Sequence, residues 1–385
     1  MKIEQIKIIE LDDSLELLQP TRAIVIKTNK GSTITPARCV TSYEFNRKSE
    51  LPTEISIDNP VSSYNKKLTG AEVRNLLTTN EEYGKQLKAI EKVDRVTEYS
   101  ILHTSTFQLY ETSSTGMAPI DILKESENLK KFLRFIIDMQ CEANHDIISI
   151  PSLNLPLDEL KKILTMANSA IEKLGKQPLF SLDLKYEKFN DIIDYTVSEF
   201  QANFINLVYR KKRDVPQHYD HLRKFARENI AFIMTDVNRI DFEHEDLSTM
   251  HYMPFLGNDL FAVESPPLSI PKKGVPPKPK NITNLKILKD NELTIKPITD
   301  SDVSATKILD QIGNPLSYDL DLDLSNINEA KFDNKKYKIL NALTRIQELK
   351  ASTKEFLKLA DHVKERSSKD YVKSKTNLHQ RLSTI

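Results

Sequence analysis

Cysteine and glycine are scarce, and each scarcity removes a class of function. With only Cys39 and Cys141 in 385 residues, neither a disulfide framework nor a cysteine-built zinc site is available. Eight glycines are too few and too scattered for the phosphate cradles of dinucleotide folds and P-loops; neither GxGxxG nor GxxxxGK occurs. Net charge is also missing, since 55 Lys plus Arg balance 55 Asp plus Glu. No global field draws the chain to nucleic acid or an anionic membrane, so any such attraction must be local. Long apolar runs are absent, and the opening MKIEQIKIIELDDSLELL lacks the basic, apolar and small-residue order of a secretory signal. These absences lead to the expectation of a cytoplasmic chain with no membrane partner, no cofactor and no metal.

What is present is a recurrence of short β-rich runs between amphipathic stretches. Eight runs qualify: Ile24–Ile26, Ile55–Ile57, Tyr99–Leu102, Asp146–Ile150, Leu179–Leu184, Asn203–Val208, Ile230–Thr235 and Asp259–Val263. Helical spacing fills the later gaps, as in Leu157, Leu160, Ile163 and Leu164, or Phe189, Ile192, Ile193 and Val197. Strand, helix, strand at roughly thirty residues per unit is the pattern of right-handed βαβ crossovers and a parallel sheet. Eight strands suit a closed (β/α)8 TIM-like barrel of α/β class better than an open doubly wound sheet.

The barrel is assigned to residues 1–265. Next comes SPPLSIPKKGVPPKPKNITN, with six prolines and no acid, read as an extended linker over 266–283. Residues 284–385 form a mixed, then helical, C-terminal region. Its pattern over Asn334–Arg366 places Ile339, Leu343, Ile346, Leu349, Phe356, Leu357 and Ala360 on one face, and the closing SSKDYVKSKTNLHQRLSTI reads as frayed.

Barrel chemistry sits where strands end at their C-terminal edge. His103 is read as closing a strand before the polar turn Thr104, Ser105, Thr106, Phe107 and Gln108, either as a catalytic assistant or as a histidine satisfied by a backbone carbonyl. Asp183, inside an otherwise buried strand, either faces the lumen or forms an ion pair with Lys185 or Arg210. Ser152 and Asn206 fall at strand ends and are candidate substrate contacts. His218 and His221, at i and i+3, and the acidic run Asp241, Glu243, Glu245 and Asp246 with His244 are read as solvated surface rather than metal ligands.

Several stretches, taken in order, resemble the tRNA-guanine transglycosylase family. They are Lys27–Gly31 with Ile34-Thr35-Pro36; Thr104–Leu109; Met139-Gln140 with Asn144–Ile148; Gly257–Phe261; and Asn341–Arg345 with Glu355-Phe356. The resemblance implies a TIM barrel and the exchange of a guanine base in nucleic acid for a 7-deazaguanine. It also implies an aspartate opening the Phe-Gln turn, where this chain has His103. The family's nucleophilic aspartate is replaced by Ala262, its base-recognising aspartate by Ser152, and its glycine-rich strand end by Asn206-Leu207-Val208. The cysteines of its structural zinc are missing beyond Cys141.

Glu264, two residues after Ala262, projects from the same strand face and can present a displaced carboxylate; otherwise it is an acid at the domain edge. Lys211, Lys212 and Arg213, with Lys272, Lys273, Lys278 and Lys280 of the linker, make a candidate phosphate-binding strip. The leading expectation is a catalytically impaired relative that binds tRNA or DNA, a partner subunit or a second copy. Two alternatives stand beside it: an active base-exchange or nucleotide-processing enzyme using Glu264 or Asp183 with His103 assisting, and an unrelated barrel acting on a small metabolite.

Overall fold

A computed structural model describes residues 3–15, 19–41, 60–96, 100–110, 118–145, 147–210, 215–241, 246–263, 285–289, 291–297 and 334–384. The chain opens with an antiparallel sheet of β1 (Ile3–Asp12), β2 (Thr21–Thr28) and β3 (Gly31–Ile34). The barrel follows: β4 (Ala37–Thr41), β5 (Val61–Leu68), β6 (Leu102–Leu109), β7 (Ile147–Ile150), β8 (Gln177–Asp183), β9 (Phe204–Val208), β10 (Ala231–Val237) and, after the short β11 (Ile240–Asp241) and β12 (Leu247–Ser248), β13 (Leu260–Val263). These eight long strands run parallel in the order β6-β5-β4-β13-β10-β9-β8-β7, and β6 lies beside β7 to close the ring. The fold is a (β/α)8 barrel with a helical tail.

The crossover helices are α1 (Gly70–Thr78), α2 (Asn80–Val96), α3 (Pro119–Ile122), α4 (Ser126–Glu142), α5 (Leu157–Lys173), α6 (Phe189–Phe200) and α7 (Pro216–Leu222). In α5, buried Leu160, Leu164, Ala167 and Ile171 recur every three or four residues, so a single stripe meets the outer face of the strands. Outward-facing Ile148, Phe180, Leu182, Ile205, Leu207, Phe232, Met234 and Phe261 complete this outer core. Inside the barrel, a second apolar cluster joins Cys39, Val61, Leu102, Ile147, Leu179, Phe204, Ala231 and Leu260 to Ile24 and Ile26 of β2.

That inner cluster corrects the strand assignment in the first half of the chain. Ile24–Ile26 belongs to the antiparallel sheet that plugs the N-terminal end of the barrel, and the first barrel strand is Ala37–Thr41. An apolar triplet reads alike in a plug and in a barrel wall. Ile55–Ile57 lies outside the described residues, and the second barrel strand is the polar Val61–Leu68. Arg22 of β2 locks the plug, donating to Asp259 at 2.9 Å and to the Ile230 carbonyl at 2.8 Å.

The C-terminal region packs on the barrel. β14 (Lys286–Lys289) and β15 (Thr294–Pro297) pair with each other, and β15 pairs with β12. α8 (Asn334–Lys364) then lies across β1, β2, β4 and β14. Its Gln347 side chain accepts from the Leu288 N–H at 3.2 Å and donates to the Leu288 carbonyl at 3.1 Å, acting as an extra strand partner.

Ile346, Leu349, Phe356 and Ala360 face inward as expected, whereas Leu357 is 52% exposed; the side chains of Ile339 and Leu343 lie outside the described residues. The closing stretch is not frayed. It forms α9 (Ser368–Lys373) and α10 (Thr376–Ser383), which bury Tyr371, Val372, Leu378 and Leu382 and are tied down by Arg366 to Glu10 and Ser368 N to Asp12. The linker, 266–283, and residues 298–333 lie outside the described residues.

Candidate functional site at the barrel mouth

Strand alternation sends every second side chain into the lumen, and in this barrel those residues turn polar halfway up. Above the apolar cluster come Ser63 and Asn65 of β5, Thr104 and Thr106 of β6, Ser149 of β7, Ser181 of β8, Asn206 of β9 and Thr235 of β10. Six of them form two hydrogen-bonded groups. On one side Asn65 Oδ1 accepts from Thr106 at 2.6 Å and from Ser63 at 3.0 Å. On the other, the Ser181 hydroxyl lies 3.1 Å from both the Ser149 hydroxyl and the Asn206 amide nitrogen. Two polar atoms of this layer, Asn65 Nδ2 and Asn206 Oδ1, are buried without a hydrogen-bond partner.

One step further along each strand is the C-terminal mouth, a pocket of about 340 Å³. Lys67, Gln108, Ser152, Asn154, Asp183, Lys185 and Arg210 supply its polar lining, and Leu109, Tyr110, Ile120 and Val208 its apolar part. Gln108 donates to Thr235 Oγ1 at 3.2 Å. Asp183 is both lumen-facing and ion-paired: Arg210 donates to it at 2.7 Å and the Lys185 N–H at 2.8 Å. Beside the pocket, Lys67 stands 3.3 Å from Asp236 Oδ2, yet that oxygen accepts no aligned hydrogen bond. Asp236 has a φ of 59° within an irregular stretch of β10 pairing. A left-handed non-glycine residue costs about 1–3 kcal/mol and is concentrated at functional sites.

Several sequence-derived candidates lie elsewhere. His103 is the second residue of β6 rather than the end of a strand, because Leu102–Leu109 is extended throughout. Thr104 to Gln108 are therefore strand residues and not a turn: Thr and Phe favour the pleat, and the alternation places Thr104, Thr106 and Gln108 inside and His103, Ser105 and Phe107 outside. His103 Nδ1 is 2.6 Å from the Ser62 hydroxyl, and its ring stacks on His145 with centres 6.0 Å apart. Ser105 reaches His145 at 3.3 Å, and Phe107 packs edge-on to Tyr64 in the outer core. None of these three reaches the mouth.

Of the remaining candidates, Ser152 and Asp183 line the mouth and Asn206 lies directly beneath it. Ala262 is buried in the apolar plug cluster. Glu264, Lys211, Lys212, Arg213, Lys272, Lys273, Lys278 and Lys280 lie outside the described residues, as do the side chains of Asp241, Glu243, His244 and Glu245. His218 and His221 have separate partners, Asn190 at 2.8 Å and Asp194 at 2.7 Å. Among the described residues no group of three or more His, Cys, Asp or Glu side chains is placed to hold a metal, and no helix is long and apolar enough to cross a membrane. Lys67, Tyr110 and Asn154 are mouth residues that the sequence reading missed. The alternation Val61, Ser63, Asn65, Lys67 was the available signal for the first of them.

No protein-family model matches the chain, and no curated protein matches it in sequence.

Proposed function

We propose that this chain is a divergent tRNA-guanine transglycosylase-like barrel that binds nucleic acid in the cytoplasm as an accessory subunit and does not itself exchange a base. The observation that carries this reading is the condition of the acids at the mouth. Asp183 is engaged by Arg210 and the Lys185 N–H, and Asp236 faces Lys67. A carboxylate must present a lone pair to the anomeric carbon to form a glycosyl-enzyme bond, and one held by a guanidinium is a poor nucleophile. The position that the family fills with its nucleophile is Ala262, packed among apolar side chains. The lining left over is cationic and amide-rich, which suits binding to a phosphate-bearing polymer.

The test is to incubate the pure protein with bulk tRNA and, separately, duplex DNA at low and moderate salt, with radiolabelled guanine present. Salt-sensitive retention without incorporation of label is the expected result. Incorporation would overturn the accessory role, and no retention even at low salt would overturn nucleic-acid binding.

Asp236 favours a second reading, an active barrel enzyme on a small metabolite. A strained carboxylate held 3.3 Å from a lysine at a strand end is an arrangement suited to proton transfer. Under that reading Asp236→Asn abolishes a detected turnover while the protein stays folded.

A further inference from the structure

Four residues lining the mouth sit two positions beyond a residue of the layer beneath it, on the same strand face. Lys67 stands above Asn65, Gln108 above Thr106, Asp183 above Ser181 and Val208 above Asn206. The upper level carries Lys67, Lys185 and Arg210 against the lining carboxylate Asp183, and Asp236 behind Lys67 brings the acids to two. Among the described residues Lys185 has no ion-pair partner. In the lower level the side chains contributed by β5 to β9 are hydroxyls and carboxamides, with an unused amide donor on Asn65 and an unused amide acceptor on Asn206, whose side chain is fully buried. Turning either amide over only exchanges which of its atoms lacks a partner.

Barrel interiors are ordinarily filled by bulky aliphatic side chains. A buried polar atom left unpaired costs about 1–3 kcal/mol, so a lumen that keeps two of them beneath a cationic pocket is built for something that completes them. A ligand that fits both levels has an anionic head and an uncharged body whose groups both donate and accept hydrogen bonds. Sugar hydroxyls do both; an aliphatic or aromatic body does neither.

We infer that the mouth seats a phosphorylated sugar, with the phosphate among Lys67, Lys185 and Arg210 and the sugar hydroxyls turned down toward Asn65 and Asn206. This deepens the binding reading above and rests on it only in taking the mouth as the site. The same chemistry is offered by the backbone unit of a nucleic acid and by a free sugar phosphate. Binding of the phosphate draws Lys67 and Arg210 partly away from Asp236 and Asp183, while the exposed Lys185 is recruited without breaking a side-chain ion pair among the described residues.

Titration calorimetry on the full chain with ribose 5-phosphate, inorganic phosphate and ribose tests this. Ribose 5-phosphate binds saturably and more tightly than either fragment. Lys185→Met, at an exposed position, weakens it about tenfold, as expected for one charge-assisted hydrogen bond. Asn206→Leu removes its advantage over inorganic phosphate.

If ribose 5-phosphate binds no better than ribose, or if Lys185→Met binds it as the parent does, the inference is wrong; the second variant keeps the test decisive should Asn206→Leu fail to fold. Competition separates the two readings. Ribose 5-phosphate binding by a protein that retains no tRNA or DNA upholds the sugar-phosphate site and removes the nucleic-acid role. Retention that ribose 5-phosphate does not displace, in a protein that does not bind it, does the reverse.

Discussion

At the mouth, the side chains of Arg210 and Asp183 keep 19% and 10% of their exposure, while Arg38 and Glu348 beneath the C-terminal helix keep none. The residue types are the same and the setting differs. Under α8, Glu348 lies 3.4 Å from Arg38 and 2.6 Å from Arg239, and Glu355 lies 2.5 Å from Lys358 and 2.8 Å from Lys375. An ion pair withdrawn from water is tolerated only when further hydrogen bonds satisfy its remaining atoms. At the seam each acid meets two cations, although Arg38 Nε and both ring nitrogens of His251 are buried without a hydrogen-bond partner. At the mouth Asp236 Oδ2, Asn65 Nδ2 and Asn206 Oδ1 lack one as well, and Asp183 and Asp236 are paired with Arg210 and Lys67 respectively. Doubly paired acids hold the tail to the barrel; the acids at the pocket are paired more sparsely.

The strongest way to break this contrast is to remove one acid from the seam. Glu348→Leu strips Arg38 and Arg239 of a shared carboxylate in a fully buried place and should cost about 3–5 kcal/mol, read as a fall in the urea midpoint. A loss below about 1 kcal/mol would mean that the seam does not carry the tail's stability.

The next effect is acid sensitivity at the same seam. His251 is buried, stacks on Phe356 with ring centres 5.0 Å apart, and has no partner for either ring nitrogen. Burial holds its pKa down, to about 3 from 6.5. Because the folded-state value is depressed, the unfolded chain takes up the proton first as pH falls through 6.5, and stability drains away from there toward pH 3. The loss should reach about 2 kcal/mol by pH 5, and chemical denaturation at the two pH values measures it. His251→Phe keeps the stacking and should flatten that slope. Glu355 adds a separate, more acidic limb. Burial pushes its carboxyl up, but hydrogen bonds from Lys358 and Lys375 outweigh this and hold it below 4.5, so its contribution is lost only as pH drops under that value.

At the mouth the same kind of change should barely touch stability. Asp183→Asn removes an acid from a pair that still reaches solvent, costing less than about 1 kcal/mol, while taking one carboxylate away from Arg210. Tighter retention of tRNA or duplex DNA in a filter assay is the expected outcome, and weaker retention would show that Asp183 contacts the ligand itself.

How far the sequence exposed this arrangement depends on which face of each strand carries the apolar residues. From Ile147 onward the outward faces are rich in Ile, Leu and Phe and the intervening helices have clean stripes, so the units stand out. Val61–Leu68 and Leu102–Leu109 face a polar lumen with Ser, Asn, Thr, Lys and Gln, and this dilutes their hydrophobic signal until Thr104–Gln108 reads as a turn and Val61–Leu68 is passed over as a strand. The misplaced role of His103 follows directly, since moving the strand downstream transfers the histidine from the mouth to the outer wall.

The tail was obscured for a related reason. Glu348, Ser352 and Glu355 are fully buried on a helix whose inner face therefore looks half polar, and nothing local distinguishes a buried glutamate from a solvated one. Asp183 was legible because an acid inside an apolar strand has few places to go. The left-handed backbone of Asp236 was not legible, as it follows from the barrel around it.

The most direct measurement is the salt dependence of tRNA retention for the parent protein and Lys185→Met. If the mouth is the binding surface, removing one cation from its rim lowers the log–log slope by about one and leaves the urea midpoint unchanged. An unchanged slope with unchanged stability would place the contact elsewhere on the molecule and contradict a phosphate-binding mouth.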